Sequence, residues 1–119
     1  AAAPFSEPSD LSDTLRWTAI VSGALPEMPI AASTGVHSWQ DAVKCILAGA
    51  SAVQLCSTLY KNGAKVLPEM IAQMGEWMER TKYESIDEFR GRLSFSNAED
   101  ASMYERTQFM KYFSSREVL

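Results

Sequence analysis

Between Asp10 and Ser22 the apolar positions return at helical spacing, with Leu11, Leu15, Thr18 and Ala19 on one face. The pattern predicts a helix capped by Ser9 or Asp10 and stopped by Gly23. Before it, residues 1–8 read as loop, broken by Pro4 and Pro8. After the turn at Leu25-Pro26-Glu27, residues 28–33 form a short apolar run without alternation. Such a run suits a strand buried on both faces, as in a parallel sheet. Thr34-Gly35 breaks it, and Ser38-Trp39-Gln40-Asp41 has the form of a capping box. Ala42, Val43, Ile46 and Leu47 then recur at helical spacing up to Gly49. Residues 52–56 make a second short strand candidate.

Beyond Gly63 the pattern is purely helical. Val66, Leu67, Met70, Ile71, Met74, Trp77 and Met78 form one stripe. Pro68 fits only a first turn, so this helix begins near Ala64 or Lys65. A second capping box, Ser85-Ile86-Asp87-Glu88, opens a short helix ending at Gly91, and a third begins at Ser96 and leads to Tyr104, Phe109, Tyr112 and Phe113. Two parallel strands joined by a helix make a right-handed crossover unit, so the class is α/β.

Composition narrows the class further. The 119 residues are 46% hydrophobic, which suits a packed domain rather than a disordered tail. Net charge is −4 with no basic stripe, so nucleic acid is not the expected partner. No apolar run approaches the length of a membrane span, and a membrane partner is not expected either. The start at Ala1-Ala2-Ala3-Pro4 lacks the basic and apolar parts of a signal peptide and reads as a truncation point. Cys45 and Cys56 read as reduced thiols of a cytoplasmic protein, and the single histidine, His37, cannot build a metal site alone. Neither a catalytic constellation nor a metal cluster is expected within the chain.

Candidate chemistry sits just after each strand, in Ser33-Thr34-Gly35-Val36 and in Cys56-Ser57-Thr58-Leu59. Small polar residues let backbone N–H groups approach a ligand, and helix starts favour anions. In a (β/α)₈ barrel the loops after the seventh and eighth strands commonly build a phosphate site. Ordinary βα turns made of small residues have the same look. His37 reads as a solvated cap residue or as a phosphate contact, and Cys56 as structural rather than as a redox thiol.

The words around these turns resemble the end of the dihydroorotate dehydrogenase family. Ile30-Ala31-Ala32-Ser33-Thr34-Gly35-Val36, Asp41-Ala42 and residues 47–59 are similar to its pattern I-G-x-G-G-I, x-D-A, a-G-A-x-x-V-Q-i-G-T-a-l. Residues 85–91 are similar to its last short helix, and the likeness covers about residues 9–92. The resemblance implies the C-terminal part of a (β/α)₈ TIM barrel: the last two strands with their helices, followed by a C-terminal helical extension. Residues 1–63 would then carry the last βα units and residues 64–119 the helices that complete and extend the barrel.

It also implies FMN, its phosphate held at Thr34, Gly35, Cys56 and Ser57. Thr34 and Cys56 stand where the family has glycine, which narrows the approach of backbone to ligand. In the family a cysteine or serine base removes a proton from dihydroorotate while FMN accepts a hydride. That base, the flavin-contacting lysine and the orotate-binding asparagines lie upstream of the matching segment, so the chain alone is expected to be inactive. The expected partners are the remainder of the parent barrel or another copy of the chain, giving a homo-oligomer, with a small-molecule substrate in the intact enzyme. A stand-alone phosphate-binding or assembly module, or a different phosphate-binding TIM-barrel enzyme, is the alternative.

Overall fold

The computed structural model describes residues 5–95. The third capping box at Ser96 and the aromatic segment after it lie outside the described residues.

Helix α1 spans Leu11–Ala24 and follows a 3₁₀ turn at Pro8–Asp10. Its predicted face is the buried one: Leu11, Leu15, Thr18 and Ala19. Asp10 stands at the start but spends its carboxylate on the Glu7 N–H at 2.8 Å, closing the 3₁₀ turn rather than capping the helix. Gly23 is not the stop. The helix continues through it to Ala24, and the Leu25 N–H closes the last turn on the Val21 carbonyl.

Strands β1 (Ala31–Ala32) and β2 (Ala52–Val53) pair in parallel, with Ala31 opposite Ala52 and Ala32 opposite Val53. Both are shorter than the apolar runs that announced them. Burial also alternates, contrary to the expectation of strands covered on both faces. Ala32 is buried and Val53 half-buried, whereas the register partners Ala31 and Ala52 are both exposed. A pleated strand points successive side chains to opposite faces, so Ala32 and Val53 turn toward the core while Ala31 and Ala52 stay exposed.

Helix α2 (Trp39–Ala48) joins the strands. Its capping box forms as the sequence predicts, with the Ser38 hydroxyl taking the Asp41 N–H at 3.2 Å and the Asp41 carboxylate taking the Ser38 N–H at 3.1 Å. The helix stops at Gly49, whose φ of 121° suits a residue without a side chain. A Cβ there would also lie 2.0 Å from the Ser22 hydroxyl, so glycine lets α1 and α2 pack closely.

Helix α3 (Ser57–Asn62) is short, and α4 spans Val66–Thr81 with Pro68 in its first turn. Of the α4 stripe, Met70 and Trp77 are buried, but Leu67 and Ile71 stay exposed. They border an apolar cleft of about 230 Å³ shared with Trp39, Ile46 and Leu55. The Ser85 segment forms a 3₁₀ turn at Ile86–Glu88 instead of an α-helix, and its hydroxyl caps nothing. The Glu88 carboxylate takes the Glu84 N–H instead.

Two clusters make the core. Leu11, Leu15, Ala19, Ala32, Val36, Cys45 and Met70 join α1, β1, α2 and α4. Val43, Ile46, Leu47, Trp77 and Phe89 join α2, α4 and the last described segment. Phe89 is fully buried and meets Trp77 edge-on at 5.1 Å. Beyond it the chain returns to the end of α2: Gly91 N–H donates to the Ile46 carbonyl, which also accepts from Gly49, and Leu93 N–H donates to Leu47.

Candidate functional site

Parallel pairing fixes where the chemistry falls. Both strands run the same way, so the segments that leave them, residues 33–38 and 54–57, emerge at the same end. There they border a polar cleft of about 280 Å³ lined by Phe5, Ser6, Asp10, Ser33, Thr34, Cys56 and Ser57. Three of the four residues singled out in the sequence, Thr34, Cys56 and Ser57, are thus brought together although 22 residues separate the first two.

Gly35 is adjacent but plays a different part. A Cβ at Gly35 would sit 2.4 Å from the backbone nitrogen of Leu11 and 2.8 Å from its Cα. The glycine admits the start of α1 to the turn, and it does not line the cleft. Its φ of 86° is likewise one that glycine adopts at least cost.

Thr34 has a φ of 85°, a region that a β-branched residue rarely occupies. The turn keeps a glycine-type backbone although its side chain is not glycine. The surroundings hold it there: the Thr14 hydroxyl of α1 reaches the Ser33 carbonyl at 3.0 Å and the Thr34 carbonyl at 2.8 Å. Strain of this kind persists where neighbouring structure over-determines the backbone.

On the second segment, Cys56 precedes α3 and is exposed, while Ser57 is buried. The Ser57 Oγ accepts the Ser6 N–H at 2.8 Å. A hydroxyl that accepts in this way keeps its own proton available for donation. Both cysteines are free thiols, as the sequence predicts. Burial, with Asp41 nearby, pushes the Cys45 thiol up to about 12. It is a core residue and not a nucleophile.

The sequence reading missed residues 5–7. Ser6 touches both strand-end segments, through Ser57 and through His37 Nε2 at 3.1 Å from its hydroxyl. Phe5 packs against Tyr60 of α3 at 5.4 Å, and Lys61 lies 3.8 Å from Glu7. Part of the predicted loop thus forms a third wall. Its polar residues carry no motif, and only the folded chain shows what they bridge.

The cleft offers hydroxyls and backbone beside a single carboxylate, that of Asp10. Ser6, Ser33, Thr34 and Ser57 supply hydroxyl groups, no lysine or arginine among the described residues lines it, and one oxygen of Asp10 takes the Glu7 N–H. This donor set suits a phosphate ester held by neutral hydrogen bonds. The volume accommodates a phosphate with its first attached carbons and falls below that of sites for whole drug-sized ligands. Among the described residues no His, Cys, Asp and Glu cluster could hold a metal, and no helix is long and apolar enough to cross a membrane.

Residues 16–78 match the family model described as Dihydroorotate dehydrogenase. The chain is 36% identical over 69 residues to the dihydroorotate dehydrogenase (fumarate) of Saccharomyces cerevisiae, covering 58% of this chain and 22% of the relative. It is 34% identical over 68 residues to dihydroorotate dehydrogenase A (fumarate) of Lactococcus lactis, covering 57% and 22%. It is 37% identical over 65 residues to the catalytic subunit of dihydroorotate dehydrogenase B (NAD(+)) of Pyrococcus furiosus, covering 55% and 22%. The chain therefore spans about a fifth of the length of these relatives.

Proposed function

This chain belongs to the dihydroorotate dehydrogenase family, and from that premise we propose that it supplies the FMN-phosphate end of a flavin-dependent oxidoreductase of pyrimidine biosynthesis. On this reading it stands as the last two strand-helix units of a (β/α)₈ barrel, with residues 1–63 carrying the phosphate turns and residues 64–119 completing and extending the barrel. The observation that carries this reading is the polar cleft at the shared end of two parallel strands, where Thr34, Cys56 and Ser57 meet. Phosphate sites of such barrels lie at that end.

The residues present fit the group. Hydroxyls of Ser33, Thr34 and Ser57 border one small cleft, and the Ser57 proton is free to be donated because its oxygen already accepts from Ser6. These groups bind and orient the phosphate. When bound, FMN supplies the hydride-accepting chemistry. The base that takes the proton from dihydroorotate and the pyrimidine pocket come from the remainder of the parent barrel, so the chain alone has no turnover.

Charge at Thr34 tests the reading. Aspartate and asparagine both tolerate a left-handed backbone better than threonine does. In the protein that carries this chain, Thr34→Asp sets a carboxylate against the phosphate, and Thr34→Asn is its neutral counterpart. The expected result is at least tenfold weaker FMN binding for the aspartate variant than for the asparagine variant. Equal FMN affinity in the two variants would overturn the phosphate assignment.

A further inference from the structure

Ser6 is hydrogen-bonded to both strand-end segments, its N–H on Ser57 Oγ at 2.8 Å and its hydroxyl on His37 Nε2 at 3.1 Å. We propose that His37 is a positioning residue that acts through Ser6, holding the 5–7 segment across the two strand-end turns so that the cleft favours a phosphate ester over its uncharged alcohol. This rests on the phosphate reading of the cleft given above.

The geometry supports a strut. His37 does not line the cleft, so it is not placed to touch the ligand there. Its backbone is fixed, because its N–H donates to the Asp41 carboxylate at 2.9 Å, the same group that caps α2. A rigid helix start therefore carries the imidazole, and the imidazole carries the Ser6 hydroxyl. The Ser6 N–H in turn occupies the acceptor side of Ser57, leaving the Ser57 proton to be donated. Breaking the imidazole contact loosens Ser6 and with it the orientation of the Ser57 hydroxyl. Phe5 on Tyr60 and Glu7 near Lys61 tie the same segment to α3, so the segment retains other anchors when the strut is lost.

The strut would matter more for an anion than for a neutral ligand. Hydrogen bonds to a charged acceptor are roughly twice as strong as neutral ones, so a misaimed donor loses more. Among the described residues the lining holds no lysine or arginine and one carboxylate, Asp10, so attraction for an anion depends on the aim of the hydroxyls.

The test compares FMN with riboflavin, its dephosphorylated form, and adds inorganic phosphate as a competitor. Binding is measured by flavin fluorescence in the wild-type protein and in His37→Ala, His37→Gln, Ser6→Ala and the Ser6→Ala/His37→Ala double variant. Glutamine places an amide near the position of Nε2 and can hold the serine. His37→Ala is expected to lose about tenfold in FMN affinity, with riboflavin affinity unchanged. His37→Gln is expected to recover most of that loss, and the double variant to lose no more than either single one. Equal losses for FMN and riboflavin, additive losses in the double variant, or no rescue by glutamine overturn the strut. A wild-type protein that binds FMN no better than riboflavin, and from which phosphate displaces nothing, overturns the phosphate reading itself and the strut with it. Thermal melts of each variant identify any that fails to fold, and the glutamine variant then carries the comparison.

Discussion

The Thr14 hydroxyl of α1 lies 2.8 Å from the Thr34 carbonyl and 3.0 Å from that of Ser33, so one side chain holds the turn that follows β1. Thr14→Val keeps the shape and removes the donor. It is expected to cost about 1 kcal/mol in a denaturant melt, the usual worth of such a bond. A melt that superimposes on the wild type would show that the turn does not depend on this anchor.

The backbone at Thr34 leads to a prediction of opposite sign. A non-glycine residue in a left-handed conformation costs roughly 1–2 kcal/mol, and φ here is 85°. Thr34→Gly relieves that strain but adds freedom to the unfolded chain, which returns roughly 0.5–1 kcal/mol. The net expectation is a modest gain in melting temperature. A lower melting temperature would mean that the side chain contributes packing that outweighs its strain.

Gly35 behaves differently although it is the next residue. Any Cβ there meets the Leu11 backbone nitrogen at 2.4 Å, and backbone cannot swing aside as a flexible side chain can. Gly35→Ala is therefore expected to destabilise by about 2–4 kcal/mol, combining left-handed strain with overpacking. The loss should be the same with and without FMN, because the clash is with α1. Normal stability combined with flavin loss would move Gly35 back into the cleft.

The two thiols separate by burial. Cys56 is exposed and should react with a thiol reagent in the native state, whereas buried Cys45 should react only after unfolding. Burial, reinforced by Asp41, raises the Cys45 thiol from 9.0 to about 12. The folded protein then holds a proton that the unfolded chain has released, so this group's stabilisation is complete below pH 9 and declines between pH 9 and about 12. The slope should approach 1.4 kcal/mol per pH unit in that window. Cys45→Ala should flatten that part of the alkaline profile, and a profile unchanged by the substitution would contradict the burial argument.

Ala31 and Ala52 face each other across the register and are both exposed. Parallel strands normally have both faces covered. The chain is expected to associate with itself or with the remainder of its parent barrel through this face, and Ala52→Arg to shift an associated sample toward monomer. Light scattering at micromolar concentration is the check. A stable species of 13.2 kDa would contradict the expectation.

Helical periodicity and the Ser38 cap were legible in the chain itself, whereas the expected Gly23 stop and Ser85 cap were not realised. The buried face of α1, the Ser38 box and the Gly49 stop follow from local rules, because spacing on one helix decides which side chains share a face. The small polar residues after each strand marked the two turns for the same reason. Tertiary structure decided what spacing cannot. It made Gly35 a contact of Leu11 and let α1 run past Gly23. It shortened each strand to the two residues that have a partner. It also brought Ser6 between Ser57 and His37, which lie 51 and 31 residues away in sequence. Local pattern records what a residue can do within its own turn of helix or strand. Which distant backbone arrives beside it depends on how the elements pack, and that information is spread over the whole chain.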